Sequence, residues 1–579
     1  MDKNGFLGAA ATSAALGPIS PFHIRDEQVV KGIPQQFMDR MVEYGASPGH
    51  CKVLDPYGSG AYLGFFDRER YKYIAYEMVR EAGADVLLHS MFSGTLTEGG
   101  RVTGVKVVNK SGENILKAKV VVDATGDGDV AGGAGAEFVL GRAKDRKMQP
   151  STLMFEMGNV DTEKLYQYIL DNPDDFEWKS DVIPIRKYSD RLVSKYFVAQ
   201  GFKKFVKQAV DNGELHIGRD SILLLNSVHP GVIHFNSTRV IDVDGTNADS
   251  RTAGEIEGRR QVESIVKFMN KYVPGFEHAF LSMTGSELGV RESRHIVGNY
   301  VLQADDVIEG RRFDDVITRG YFPIDVHNMA GKAGYGNPET AGAWIDIKDS
   351  YDIPYRCLVP VKVDGLLMAG RCISATSEAH GSFRTQGSVM AIGQAAGTAA
   401  GLSAKQGIRP RELDIKELQA ELLNNGASLR RDPEAVERET RNAQNTRRSF
   451  CRRTNAILHR TFKSAHIWLS SGDGKDGNGE TRTHPFGCLG GDCRCDLLAV
   501  WVARGRYFGA QPCNPCNPCN PYKPCSPCRC QADKERLKSE RLKLPSLVLR
   551  SIIMGETIQR RKRKEGGKCG SNGGLSVTD

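Results

Sequence analysis

Two histidines and two arginines, His327, His380, Arg294 and Arg384, carry the groups in this chain best suited to moving a proton and holding an anion. An unperturbed imidazole titrates near pH 6.5, so His380 in "SEAHGSFRTQG" or His327 in "PIDVHNMAG" can exchange a proton under ordinary conditions. An arginine's planar fork binds carboxylate in bidentate fashion, which suits Arg384 and Arg294 to an anionic or polyhydroxylated substrate. His234 and Asn236 in "GVIHFNSTRV", with Arg291 in "RESRHIVGNY", extend the set as candidate substrate-binding groups. Each residue alone is also compatible with a surface ion pair or a satisfied core histidine. Their density between residues 151 and 340 is more than an apolar core needs.

A different pattern, "VVVDATGDGDVAGGAGAEF" at residues 120–138, concerns backbone contacts to a ligand. Gly126, Gly128 and Ala131 fit the G-x-G-x-x-G/A series, in which amides at a helix start receive a pyrophosphate. Asp127 and Asp129 would set carboxylates against those phosphates, a repulsion of roughly 1 kcal/mol or more even in high dielectric. The following "DVAGGAGAEF" leaves room for only a short helix, whereas the fingerprint needs a βαβ unit of about 30 residues. The turn therefore binds or braces something other than a nicotinamide dinucleotide.

The elements that must position these groups are a mixture of α and β. In "DRERYKYIAYEMVREAGA" the residues Tyr71, Ile74, Ala75, Met78 and Val79 share one helical face, with Asp67 as N-cap and Gly83 as stop. The stretches "DVLLHSMF", "RVTGVKVVN" and "NILKAKVVVDAT" read as strands, the last two forming a hairpin across "KSGE" that runs into the glycine-rich turn. "GLLMAGR", residues 365–371, reads as a buried strand ending in a glycine. "TQGSVMAIGQAAGTAAGL", from Thr385, reads as a helix whose Gly387, Gly393 and Gly397 permit close packing.

A helix, a β-meander and an A-T-G strand end in this order resemble the flavin-binding half of glutathione-reductase-like flavoproteins. "DATGDGDVA", "RESRHIVGNY" and "LLMAGRCISATSEAHGSFR" together resemble the FAD-dependent oxidoreductase family, over about residues 5–430. The resemblance implies an α/β protein with FAD as cofactor, a Rossmann-like (β-β-α) FAD-binding domain and an inserted α+β substrate domain. The domains expected are 1–150 and 341–430 for FAD, 151–340 for substrate, and 431–579 as a separate tail. It also implies that Ala124, Thr125, Gly126 and Asp127 lie against the middle of the cofactor, with Asp127 and Asp129 accepting bonds from neighbouring loops.

The same resemblance places Gly370, Arg371, Gln386, Gly387 and Ser388 at the flavin, the helix amino end facing its N1 and C2=O edge. Arg371 stands where many related reductases carry an acid, and it can serve phosphate or substrate. "NGFLGAAATSAALGPISPF" resembles the segment that follows the first strand, phosphate turn and ribose-binding acid of such domains. That puts Gly8 and Thr12 near the ribityl chain and leads to the expectation that a first βαβ unit is missing. The implied activity is hydride transfer between a small organic substrate and flavin N5. Two alternatives stay open: an inactive flavoenzyme fragment, and a binding protein whose tail contacts nucleic acid or metal.

Composition separates that tail from the body. Residues 441–579 hold 26 Lys and Arg against 11 Asp and Glu, while residues 1–440 hold 52 against 59. Cys51, Cys357 and Cys372 are the only cysteines of the body, and the other eleven lie between Cys451 and Cys569, so the body reads as a reduced, cytoplasmic protein. No run reaches the roughly 18 apolar residues of a membrane span, and the amino terminus makes a poor signal peptide. In the tail, "CNPCNPCNPYKPCSPCRC" repeats a C-x-x-C spacing compatible with zinc, but its Asn-Pro fillers and lack of a core pattern read as low complexity. A disordered tail, no metal site, and neither nucleic acid nor membrane as partner are the expectations. "RRKRK" at 560–564 reads as a solvated charge run.

Overall fold

The carboxylate of Asp67 accepts hydrogen bonds from the backbone amides of Glu69 and Arg70 and so starts helix α1 (Arg68–Glu81) where the apolar spacing predicts it. Tyr71 and Ile74 on its apolar face are buried, with Tyr71 against Phe37 and Phe66. This computed structural model describes residues 1–24, 27–53, 62–176, 196–329 and 343–431, all within the unit Met1–Asp473. The expected tail lies outside the described residues from 432 onward, including its cysteine repeats and basic run.

Three antiparallel strands follow: β1 (Met91–Glu98), β2 (Arg101–Asn109) and β3 (Gly112–Lys117). The sequence places the first of them over "DVLLHSMF", but it begins only at Met91 and runs on through "SGTLTE". His89, with φ 51, interrupts extended backbone just before it. "NILKAKVVVDAT" also divides: β3 ends at Lys117, and β4 (Val121–Asp123) belongs to another sheet. The last bond toward the meander runs from Ala118 N–H to Thr103, whereas Val121 N–H turns to Gly365.

The chain then passes through a turn into the short helix α2 (Asp129–Gly133). Next comes a five-stranded antiparallel sheet built from β5 (Phe155–Gly158), β6 (Val198–Gly201), β7 (Ile222–Asn226), β8 (Ile233–Phe235) and, after helix α3 (Ala248–Tyr272), β9 (Phe280–Thr284). The strand order is β6-β7-β8-β5-β9. Alternation gives this sheet two apolar faces. Phe155, Ile222, Leu224, Ile233 and Phe235 join Val262, Ile265 and Phe268 of α3 in one core, while Leu223 and Leu225 face Phe65. Gly258 lets α3 approach, since a Cβ there would lie 3.0 Å from that of Leu153.

Strand β10 (Arg294–Ile296) returns the chain to the first region. Ile296, Leu302, Val316, Ile324 and Val326 pack in one core with Leu366, Leu367 and Met368, within the span 151–340 that the sequence assigns to the substrate domain. Strand β11 (Leu366–Met368) pairs in parallel with β4, Val121 opposite Leu366 and Asp123 opposite Met368. Helices α4 (Ser377–Phe383) and α5 (Gln386–Gln406) follow, joined by Arg384 and Thr385, and a last helix, α6 (Ile415–Asn424), adds Leu418 and Leu422 to the same core. Gly387 is tightly packed against Tyr321 and Phe22, but no described atom lies within 4 Å of a Cβ built at Gly393 or Gly397. The buried face of α5 is carried instead by Ala391, Ile392, Ala395, Ala396 and Ala399.

Candidate functional site

The two aspartates of "GDGD" brace the turn after β4. Gly126 has φ 81 and Gly128 φ 67, left-handed backbone that favours glycine, and an added Cβ at Gly126 would displace the Arg371 guanidinium. Arg371 Nη2 donates to Asp127 Oδ1 at 2.5 Å and Ser293 Oγ donates to the same oxygen at 2.6 Å, with Arg251 3.6 Å from Oδ2. Burial opposes ionisation of Asp127, but the two arginines and the serine outweigh it and hold the carboxyl below its ordinary value. Asp129 accepts from Arg294, whose guanidinium also donates to the Asp127 carbonyl and lies over the Phe138 ring. Arg294 is thereby committed to the turn. Ala124 and Thr125 are exposed, and the Thr125 hydroxyl joins Asp123 Oδ1 to the amide of Asp129.

The amino-terminal segment lies beside this turn and the start of α5. Gly8, with φ 113, opens a single helical turn (Ala9–Ala11) closed by Thr12, whose hydroxyl donates to Leu7 and Ala9 carbonyls. Ser13 donates to Glu287, and Glu287 pairs with Arg251, which reaches Asp127. At α5, Gln386 Nε2 donates to the Leu16 carbonyl and Gly387 N–H to Ser20 Oγ, while Ser388 is buried beside Thr385. The buried atoms Gln386 Oε1 and Arg371 Nε have no partner among the described residues, and Gly370, with φ 82, faces open space. These features fit a ligand with a polar edge.

His327, Arg384 and Arg291 come together around a residue not anticipated from sequence, Asp325. His327 Nε2 is 3.3 Å and Arg384 Nη2 3.4 Å from Asp325 Oδ2. Gln149 Oε1 accepts from both the His327 backbone amide and Arg384. Arg291 donates to the Pro150 carbonyl and Thr152 hydroxyl, and burial, then the charge of Arg384, lower its pKa to about 9. Arg239, lowered to about 10 by burial and Arg219, and Arg219 itself complete the cationic group. Arg384 is the one of these four guanidiniums in ion-pair contact with Asp325 among the described residues, and the Asp325 charge also acts on Arg291. Burial drives His327 down to about 4, and Asp325, despite burial, is held far below the usual carboxylate range by His327, Arg384 and Arg291. Asn236 joins the edge of this group through its carbonyl, which accepts from Arg219.

The remaining two histidines lie elsewhere. His234 projects from β8 beside Glu156 of β5, which also pairs with Arg68 at 2.7 Å. Burial lowers the pKa of that imidazole, and Arg68 donates onward to the Ala11 and Ala15 carbonyls of the amino-terminal segment. His380 packs edge-on against His295, whose Nε2 is 2.9 Å from Glu292 Oε1. Ser377 Oγ donates to the same oxygen at 2.5 Å, and Gln149 N–H donates to Glu292 Oε2. Gln149 thus links this cluster to the arginine group. Sequence reading passed over Gln149, Arg239, Glu292 and His295 as well as Asp325. The available signals were short ones: an acid two residues before His327, and Glu-x-x-His inside "RESRH".

The chain belongs to the FAD dependent oxidoreductase family, whose match runs over residues 1–422. It is accordingly an α/β flavoprotein with FAD as its cofactor. Among solved structures it is similar to p-nitrophenol 4-monooxygenase PnpA from Pseudomonas putida DLL-E4, at 11% identity and TM-score 0.27, covering 47% of this chain and 60% of that one. It is similar also to the flavin-dependent brominase Bmp2, at 10% identity and TM-score 0.32, over 71% of this chain and 73% of that one. A third likeness, at 12% identity and TM-score 0.27, is to a geranylgeranyl bacteriochlorophyll reductase-like protein from Thermoplasma acidophilum, over 67% and 74% of the two chains. No curated protein matches the chain. No helix among the described residues is long and apolar enough to cross a membrane.

Proposed function

We propose that this flavoprotein oxidises or reduces a small organic anion, with hydride passing between a substrate carbon and N5 of FAD. The observation that carries the reading is the cluster of cationic groups at Asp325: Arg384 pairs with it, Arg291 lies within reach of its charge, and Arg239 and Arg219 lie close enough to depress the pKa of Arg291. The buried donor atoms Arg239 Nε, Arg384 Nε and Gln149 Nε2 have no partner among the described residues. Leaving such groups unmade costs about 1 to 3 kcal/mol each, which an anionic ligand with several acceptor oxygens relieves.

In this reading Arg384 and Arg291 hold a substrate carboxylate while Arg239 and Arg219 deepen the positive potential. His327 exchanges the proton that accompanies hydride transfer, and Asp325 fixes its ring and favours the imidazolium that forms. Because Arg291 and Arg384 depress His327, an anion bound to them restores its basicity, so proton acceptance is coupled to occupancy. FAD, held by the 124–127 turn, Gly370, Arg371 and residues 386–388, with Gly8 and Thr12 toward its ribityl chain, supplies the two-electron acceptor or donor. The uncapped amino end of α5 would stabilise negative charge on the flavin edge.

The test is anaerobic reduction of the flavin-loaded protein, followed by loss of flavin absorbance, with small carboxylates and their neutral amides. Reduction confined to the carboxylates supports the reading. Equal rates with the amides would remove the arginine group from the substrate site.

A further inference from the structure

We propose that Glu292, His295 and His380 bind one zinc-type divalent cation, forming a structural metal site in the wall that carries the anion-binding arginines. One donor atom from each of the three lies within 4.8 Å of the others, and the residues are 0%, 3% and 1% exposed. Glu292 Oε1 and His295 Nε2 are already 2.9 Å apart, and Ser377 Oγ is 2.5 Å from the same carboxylate oxygen. Tetrahedral zinc with bonds of 2.0 to 2.1 Å needs donors about 3.3 Å apart, so small side-chain adjustments admit the ion. Imidazole and carboxylate are the donor types that suit it.

Two further observations point to a missing cation. Nδ1 of His380 is buried without a partner among the described residues, although buried ring nitrogens are ordinarily satisfied. Glu292 is also fully buried, and among the described residues its only ion-pair partner is His295, with no lysine or arginine in ion-pair contact with it. A carboxylate so placed calls for compensating positive charge. The spacing supplies the geometry: Glu292 and His295 bracket the entry to β10, and Ser377 and His380 stand three apart on one face of α4. Gln149 N–H occupies Glu292 Oε2, leaving Oε1 as the donor.

Three protein donors leave the fourth tetrahedral position to a water or to Ser377 Oγ, and their burial keeps the ion from bulk solvent, so its role is to hold the fold. The ion would tie β10 to α4. Arg291 immediately precedes Glu292, and Arg384 follows His380 by four residues, so the tie would fix the two arginines relative to each other. The inference does not rest on the proposed reaction.

The experiment is elemental analysis and zinc X-ray absorption of the full-length protein, wild type beside His380→Gln and His295→Gln, after exchange into metal-free buffer. The tail cysteines give sulfur scattering near 2.3 Å, whereas the proposed site gives only nitrogen and oxygen near 2.0 to 2.1 Å. Expected is about one equivalent of zinc with a nitrogen and oxygen shell, lost in both variants while circular dichroism stays that of the wild type. Equal metal content in the wild type and the folded variants overturns the proposal, as does a shell made of sulfur alone. If both variants fail to fold, the wild-type shell decides: less than about 0.1 equivalent of nitrogen- and oxygen-bound metal leaves a metal-free hydrogen-bonded cluster.

Discussion

His327 and Asp325 form a buried pair, Nε2 to Oδ2 at 3.3 Å, in which the carboxylate stays ionised while burial holds the imidazole to about pH 4. The folded state therefore takes up the His327 proton only near 4, whereas the unfolded chain does so near 6.5. Acid between those values favours unfolding, so His327→Asn should make stability less pH-dependent from 6.5 down to 4. Thermal melts across that window check it. Histidine-selective NMR should show the ring titrating near 4 alone and higher with an inert carboxylate bound; an ordinary titration near 6.5 in the free protein would contradict the burial assigned to it.

Arg384 reaches the Asp325 carbonyl and carboxylate and Gln149 from the carboxyl end of α4. Arg384→Ala should slow substrate-driven flavin reduction by about 10² or more, the loss of a charge-assisted contact worth roughly 2 to 4 kcal/mol. Flavin content should be unchanged. Stopped-flow traces at wild-type rates would remove Arg384 from the substrate site.

Gly126→Ala adds a Cβ where Arg371 now lies and imposes a left-handed backbone on a residue that disfavours it. The expected cost is about 1 to 3 kcal/mol of stability, with Arg371 displaced from Asp127. Chemical denaturation measures the first. A variant as stable as the wild type, with unaltered FAD affinity, would show that the Arg371 contact is dispensable.

Glu156→Gln leaves Arg68 buried without its carboxylate, a change of about 3 to 5 kcal/mol in comparable buried pairs. Burial disfavours the Glu156 charge, but His234 and Arg68 hold its pKa below the ordinary value. The stabilisation from its ionisation is therefore complete above about 4.5 and is lost progressively as pH falls from there to about 2. The difference between wild type and variant should shrink in acid, and denaturation at pH 7 and pH 3.5 compares the two. A pH-independent difference would mean that Glu156 is not ionised in the fold.

Local physics was legible in the sequence, and long-range partnership was not. The Asp67 cap, the α1 face and the strand at Leu366 follow from rules that operate within a few residues. The reading of Asp127 and Asp129 as acceptors for neighbouring loops came from the family resemblance, and Ser293 and Arg294 make such bonds. Asp325, Gln149 and Glu292 gave no comparable signal. Each acquires its importance from side chains far away in the chain, such as Ser377 for Glu292 and Arg384 for Gln149. The four residues first singled out for catalysis also separate in space: Arg384 with His327, His380 beside Glu292's partner His295, and Arg294 on the glycine-rich turn. Periodicity carries no information about such a division.

The parallel pairing of β4 with β11 has a consequence during biosynthesis. Val121 leaves the ribosome long before its partner Leu366, and at about 5 to 20 residues per second the wait is on the order of tens of seconds. Throughout it the strand edge at Val121 and Val122 lacks its neighbour, and Asp127 lacks Arg371. The intervening five-stranded sheet is complete by Thr284 and is free to form first. The nascent flavoprotein thus carries an unfinished cofactor turn beside a finished sheet, and a chaperone that shields β4 over this interval should raise the yield of soluble protein more than one acting after release.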